Sequence, residues 1–139
     1  MADYFFYGSL MDADVLSAVA GERIAPSRLV PARLPGYERM GASSGVFPII
    51  VADSGAVEGV EGILVRGIGP AAARRLVRYE GQGYMLMKRP VTTADGRDEA
   101  FVFIPARPGR SSGKAWDFET WRRRHKRRLM RALAAENSP

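Results

Sequence analysis

Cysteine is absent from the 139-residue chain, and histidine occurs once, at His125. The first absence excludes disulfide scaffolds, zinc–cysteine modules and thiol catalysis. The second leaves too few imidazoles for a histidine-built metal site. Long apolar runs are also missing. The longest, residues 46–52, contains Pro48 and is far shorter than the roughly 20 residues that span a bilayer as a helix. No basic residue precedes Arg23, so the N-terminus lacks the positive start and long apolar core of a signal peptide, and a cytoplasmic location is expected. Acidic residues are scarce in one region only. Residues 107–131 carry ten Lys/Arg against Asp117 and Glu119, a local charge of +8, whereas the rest of the chain sums to −2. The net charge of +6 therefore belongs to a tail and not to the body.

With 46% hydrophobic residues, the length suits one compact domain with a real core and is too short for a dinucleotide domain plus a substrate domain. The chain has no internal repeat and no low-complexity block. Aromatic residues 4–7 read as a strand broken by Gly8. Asp12 or Ala13 through Ala20 reads as a helix with Val15, Leu16 and Val19 on one face and Gly21 as its stop. Prolines and glycines punctuate 26–48, which predicts short strands and loops. Strands are expected at 49–52, 60–65, 85–93 and 100–104. Pro70 suits the first turn of a helix running to about Tyr79. Residues 105–113 have a linker-like composition, Asp117 is placed to cap a last helix to about Ala134, and 135–139 are expected to fray. The mixture is α+β, with a mixed or mostly antiparallel sheet.

Glu80 is the most informative residue. Ala73, Leu76 and Val77 lie on one apolar stripe of the helix before it, and Glu80 continues that stripe. A carboxylate on a core-facing side is costly unless paired or functional. Partial burial and the negative end of the helix dipole both raise its pKa, as a general acid/base near neutral pH requires. The plain alternative is a Glu rotated outward beside Arg78. The segment Tyr7-Gly8-Ser9-Leu10 is a strand followed by a glycine turn ahead of a helix, and its free amides suit a carboxylate or an oxyanion. The plain alternative there is an ordinary strand-to-helix loop.

Two other strings lack the context they need. Gly41-Ala42-Ser43-Ser44-Gly45 matches a nucleophile elbow, but no helix follows it. Gly67-Ile68-Gly69-Pro70-Ala71-Ala72 resembles a dinucleotide fingerprint, but Pro70 accounts for it as a helix start. In the tail, Phe118, Trp121, His125, Leu129 and Leu133 share one stripe. That pattern favours a docked terminal helix, with His125 a packed aromatic, over a nucleic-acid element.

Tyr7-Gly8-Ser9-Leu10, followed about seventy residues later by Tyr79-Glu80-Gly81 and Tyr84, resembles the gamma-glutamylcyclotransferase-like family. Phe47-Pro48 and Val60-Glu61-Gly62 fit its intermediate landmarks, and the likeness covers roughly residues 4–104. The resemblance implies a small mixed β-barrel with surrounding helices, here plus a basic C-terminal helix. It divides the chain into a domain over 1–106 and a basic loop and helix over 107–139. It implies no metal, no cofactor and a small γ-glutamyl substrate that cyclises to 5-oxoproline. Glu80 takes the position of the catalytic carboxylate, while Tyr7, Gly8, Ser9, Leu10 and Tyr84 take substrate-binding positions. Three positions depart from the pattern: Val77 where an Asp is common, Leu86 where a basic residue is common, and Phe103 where a Tyr is common. A non-catalytic binding module on the same fold, and nucleic-acid association through 107–131, are the competing expectations. The leaving group and the oligomeric state stay open at this level.

Overall fold

Tyr4, Phe5, Phe6 and Tyr7 are all buried. Neighbouring residues of a strand point to opposite faces, so a run of four aromatics has to be covered on both sides. The computed structural model describes residues 1–43, 46–107, 109 and 111–136 and supplies both covers. In chain order its main elements are β1 (Ala2–Phe6), α1 (Ala13–Ala20), β2 (Leu29–Leu34), β3 (Tyr37–Gly41), β4 (Pro48–Ala52), β5 (Val60–Ile68), α2 (Pro70–Glu80), β6 (Tyr84–Thr93), β7 (Gly96–Pro105) and α3 (Phe118–Glu136). Five strands close into a barrel in the order β1-β5-β2-β6-β7, while β3 and β4 pair as a separate hairpin. The barrel pairings are antiparallel except the closing one, where β1 lies parallel to β7 through Tyr4↔Phe101 and Phe5↔Val102.

One face of β1 fills the barrel. Phe5 clusters with Ala32, Leu34, Leu64, Val91, Ala100 and Val102, so all five barrel strands contribute. The other face meets the helices. Tyr4 and Phe6 pack with Leu16, Val19, Leu76, Phe103, Trp121 and Leu133. Both faces of this aromatic run therefore remove apolar area from water, at roughly 25 cal/mol per Å².

The strands run longer than their apolar signals. β5 continues to Ile68, and β6 and β7 pair over their whole lengths from Tyr84↔Pro105 to Thr93↔Gly96. The added turn-proximal residues Arg97 to Glu99 are polar, so hairpin register and not hydrophobic alternation extends the ladder. In α2 the buried stripe is Ala72 and Leu76, whereas Val77 is 47% exposed. The core face is thus rotated from the expected one, and Glu80 continues it at i+4 from Leu76. Residues 105–113 are not a loose linker where described. Ser112 donates its N–H to Gly41, the amide of Gly41 donates to Lys114, and Trp116 donates its indole N–H to the Val46 carbonyl at 3.0 Å. The Gly41–Gly45 string starts at the end of β3, with Ser44 and Gly45 outside the described residues.

Asp12 joins the last helix to the first. Its Oδ1 accepts from the Asp14 and Val15 amides at 2.9 and 3.1 Å and caps α1. Its Oδ2 lies 3.1 Å from Arg122 Nε and 2.9 Å from Lys126 Nζ, both on α3. Asp117 begins α3 by accepting from the Thr120 amide at 2.8 Å, and the helix continues to Glu136. Trp121 and Leu133 are buried, Phe118 and Leu129 partly so. Arg123, Arg124, Arg127 and Arg131 remain exposed. Among the described residues no helix is long and apolar enough to cross a membrane.

Candidate active site

Where β1 ends, Gly8 turns the chain into a short 3-10 turn (Ser9–Met11). A Cβ on Gly8 would lie 3.2 Å from Pro48 Cγ, so glycine lets this turn press against the Phe47-Pro48 segment at the start of β4. Met11 donates to the Gly8 carbonyl and Asp12 to that of Ser9. Among the described residues no backbone carbonyl accepts from the Ser9 or Leu10 amide, the ordinary situation at the start of a helical turn. Arg39 of β3 fixes the turn from outside. Its Nη1 donates to the carbonyls of Tyr7 and Glu61, each at 2.9 Å, and its guanidinium lies 5.2 Å from the Trp116 ring centre.

The turn forms one wall of a cavity of about 340 Å³. Tyr7, Gly8, Ser9 and Leu10 line it together with Glu80 and Tyr84, so every site residue expected from the sequence faces one space. Phe5, Phe6, Phe47, Pro48, Tyr79, Phe103 and Leu129 complete the lining. Of the three departures from the family pattern, only Phe103 borders the cavity. Val77 and Leu86 are exposed elsewhere.

Glu80 enters this cavity from the last turn of α2, while Arg78 is exposed, so the outward rotation beside Arg78 does not occur. Burial pushes the Glu80 carboxyl up to about 7, and no donor or cation among the described residues counters it. The three surrounding tyrosines do not ionise beside it. Tyr79 is pushed up to about 12 by burial first and then by the Glu80 charge, against a hydrogen bond with Ser9 that acts the other way. Burial and then Glu80 likewise raise Tyr7 and Tyr84. All three stay neutral phenols. Tyr7 Oη donates to the Phe103 carbonyl at 2.6 Å, and Tyr79 Oη shares a 2.9 Å hydrogen bond with Ser9 Oγ. The arrangement is therefore one titratable carboxyl in a wall of aromatic rings beside unclaimed backbone amides.

This environment has a stability signature. The folded-state pKa of Glu80 lies above its ordinary 4.5, so between those values the unfolded chain gives up the proton first. Stability falls as pH rises through that window, and the loss is complete above about 7. Glu80→Gln should remove the penalty. The variant is expected to be more stable than the parent by about 2 kcal/mol at pH 8, after discounting for partial exposure, and equal to it at pH 4. Urea unfolding at both pH values measures the difference.

A family model described as gamma-glutamyl cyclotransferase, AIG2-like, matches residues 4–123. The chain belongs to this family. The match runs past residue 104 and ends inside α3, so the tail is partly within the family pattern. Among solved structures, the solution structure of At5g39720.1 from Arabidopsis thaliana is similar with a TM-score of 0.67 at 22% identity, over 99% of this chain and 94% of that one. At3g28950.1 from Arabidopsis thaliana gives a TM-score of 0.67 at 25% identity, over 97% and 81%. A structure titled gamma-glutamyl cyclotransferase gives 0.61 at 19% identity, over 79% and 69%. No curated protein matches the sequence. The gamma-glutamyl cyclotransferase fold is thus the small mixed barrel with packed helices described above.

Sequence reasoning missed two contributors to this cavity and its turn. Arg39 gave no signal, because a lone Arg in a short strand looks solvated. Leu129 read only as a docking residue of the tail, and nothing local to α3 reveals that the far end of the chain reaches the cavity.

Proposed function

We propose that the chain is a γ-glutamyl cyclotransferase that needs no cofactor, with Glu80 as its general acid/base. The observation that carries this reading is a carboxyl held near pKa 7 by burial, facing the Tyr7–Leu10 turn across one cavity. The α-amine of a γ-glutamyl group attacks its own γ-carbonyl carbon. A C–N bond forms to close the five-membered ring, and the C–N bond to the leaving group breaks. Glu80 accepts the amine proton as the ring closes and returns one to the leaving nitrogen, so the products are 5-oxoproline and a free amine or amino acid. Because the attack is intramolecular, holding the substrate folded back supplies much of the acceleration. The Ser9 and Leu10 amides are the donors available to the substrate carboxylate or to the developing oxyanion. The neutral tyrosines and surrounding rings keep water from levelling the basicity of Glu80.

The test is incubation of the full chain with γ-glutamyl amines, γ-glutamyl amino acids and glutathione, with 5-oxoproline as the readout. A broad panel with no product overturns the proposal. Ligand-dependent thermal stabilisation without turnover would assign the cavity to binding alone. The reading also fixes a pH profile. Protonated Glu80 cannot accept the amine proton, so kcat/KM should fall about tenfold per pH unit below 7. A rate independent of pH between 5.5 and 7 would exclude Glu80 as the base.

A further inference from the structure

A second space adjoins the Glu80 cavity. Phe47 and Leu129 wall both. The second space is a groove of about 470 Å³ along α3, bounded also by Val46, Trp121, His125, Arg128 and Ala132. Each lies in the size range of ligand sites. The groove is mostly apolar, with Trp121, Leu129, Val46 and Phe47 in its lining. Its charged or titratable side chains are the two α3 residues His125 and Arg128, the buried Trp121 Nε1 has no hydrogen-bond partner among the described residues, and no acidic residue lines it. Arg128 Nη2 lies 2.6 Å from His125 Nδ1. An arginine can only donate, so Nδ1 is the acceptor, and in the tautomer this requires Nε2 offers a further donor. Among the described residues no carboxylate pairs with Arg128, whereas its neighbours Arg122 and Lys126 are both taken up by acidic partners.

A guanidinium without a carboxylate partner, backed by a second donor on the wall of a mostly apolar groove, has a definite complement, namely a carboxylate attached to an apolar group. We propose that this groove is the leaving-group subsite and that the preferred leaving group is an amino acid with an apolar side chain, its carboxylate held by Arg128 and His125. The inference rests on the cyclotransferase reading, in which the leaving group extends from the Glu80 cavity past Phe47 and Leu129, the two residues that line both spaces. On ring closure that nitrogen takes its proton from Glu80, and the released amino acid departs from the groove. The groove makes the charged tail helix a part of the substrate site, because α3 supplies both the carboxylate-binding pair and much of the apolar wall.

The experiment compares three substrates of the full chain by 5-oxoproline release: γ-glutamylphenylalanine, γ-glutamylphenethylamine, which lacks only the second carboxylate, and γ-glutamylaspartate, which adds a charge where the groove is apolar. The phenylalanine compound is expected to exceed each of the others in kcat/KM by about tenfold or more, carried mainly by KM, as a charge-assisted hydrogen bond and an apolar fit require. In Arg128→Gln the preference for the acid over the amine should shrink to within about twofold of unity, with the Tm and the pH limb near 7 kept. Arg128 is exposed, so the variant keeps its fold. Equal kcat/KM for all three substrates, or an undiminished acid preference in Arg128→Gln, overturns the subsite while leaving the cyclotransferase intact. Absence of 5-oxoproline from all three substrates and from the wider panel overturns both.

Discussion

Glu80→Gln should lower kcat for 5-oxoproline formation by about 10²–10⁴-fold, the usual weight of one general acid/base. The amide matches the carboxylate in shape, so KM should change little and the cavity should keep its lining. The loss arises because an amide cannot take the amine proton. Its second mark is the disappearance of the pH limb near 7, since burial of this one carboxyl sets that limb. Glu80→Asp keeps the chemistry but retracts it by one methylene, and it should recover part of the rate. Full activity in Glu80→Gln, measured on folded protein, would reject Glu80 as the acid/base.

Asp12→Ala should destabilise the protein by about 3 kcal/mol, combining a lost helix cap with a broken, nearly buried charge contact. The Asp12 side chain is 2% exposed, while Arg122 and Lys126 are 42% and 26% exposed. Removing the acid therefore strands no fully buried cation, which keeps the cost below that of a wholly buried pair. Burial alone would raise the Asp12 pKa, but the Lys126 hydrogen bond, the Val15 amide and the charges of Lys126 and Arg122 outweigh it and hold the carboxyl below its ordinary range. Its stabilising contribution is therefore present above the unfolded-state value and fades as pH falls through the lower folded-state one. Asp12→Asn keeps the capping oxygen and should cost about half as much. Asp14→Ala, which removes a 71% exposed partner of Lys126, should stay within about 0.5 kcal/mol. Urea midpoints of the three variants at pH 7 test the ordering. An Asp12→Ala effect no larger than that of Asp14→Ala would remove Asp12 as the link between α1 and α3.

Much of this was legible in the chain itself. The strand–glycine turn and the following capped helix follow from residues 4–21, where aromatic density, Gly8, Asp12 and Gly21 each act locally. Glu80 stood out because a carboxylate interrupted an apolar ridge, although the ridge was read one residue off. Ala72 looked too small to define a face and Val77 looked apolar enough to belong to it. Only the tertiary contact of α2 with α1 decides between them. The barrel order, the hairpin apart from the barrel and the seat of Leu129 were not legible. Each depends on residues distant in sequence meeting, and no periodicity records that. Arg39 belongs with these, because its importance lies in the two carbonyls it reaches and not in its neighbours.

The parallel pairing of β1 with β7 dictates an order of events in time. The first strand made by a ribosome has one permanent neighbour in β5 and another that arrives only after residue 102. Until then one edge of a strand with three aromatic residues in five has no partner, and such an edge is a template for another chain. The Tyr7–Phe103 hydrogen bond, made between two residues that line the cavity, waits for the same moment. Pairings this distant make folding slow. A nascent or truncated chain ending before β7 would therefore expose this aromatic strand and lack the Phe103 and Leu129 walls of the cavity, so aggregation and loss of the proposed activity should appear together at that chain length.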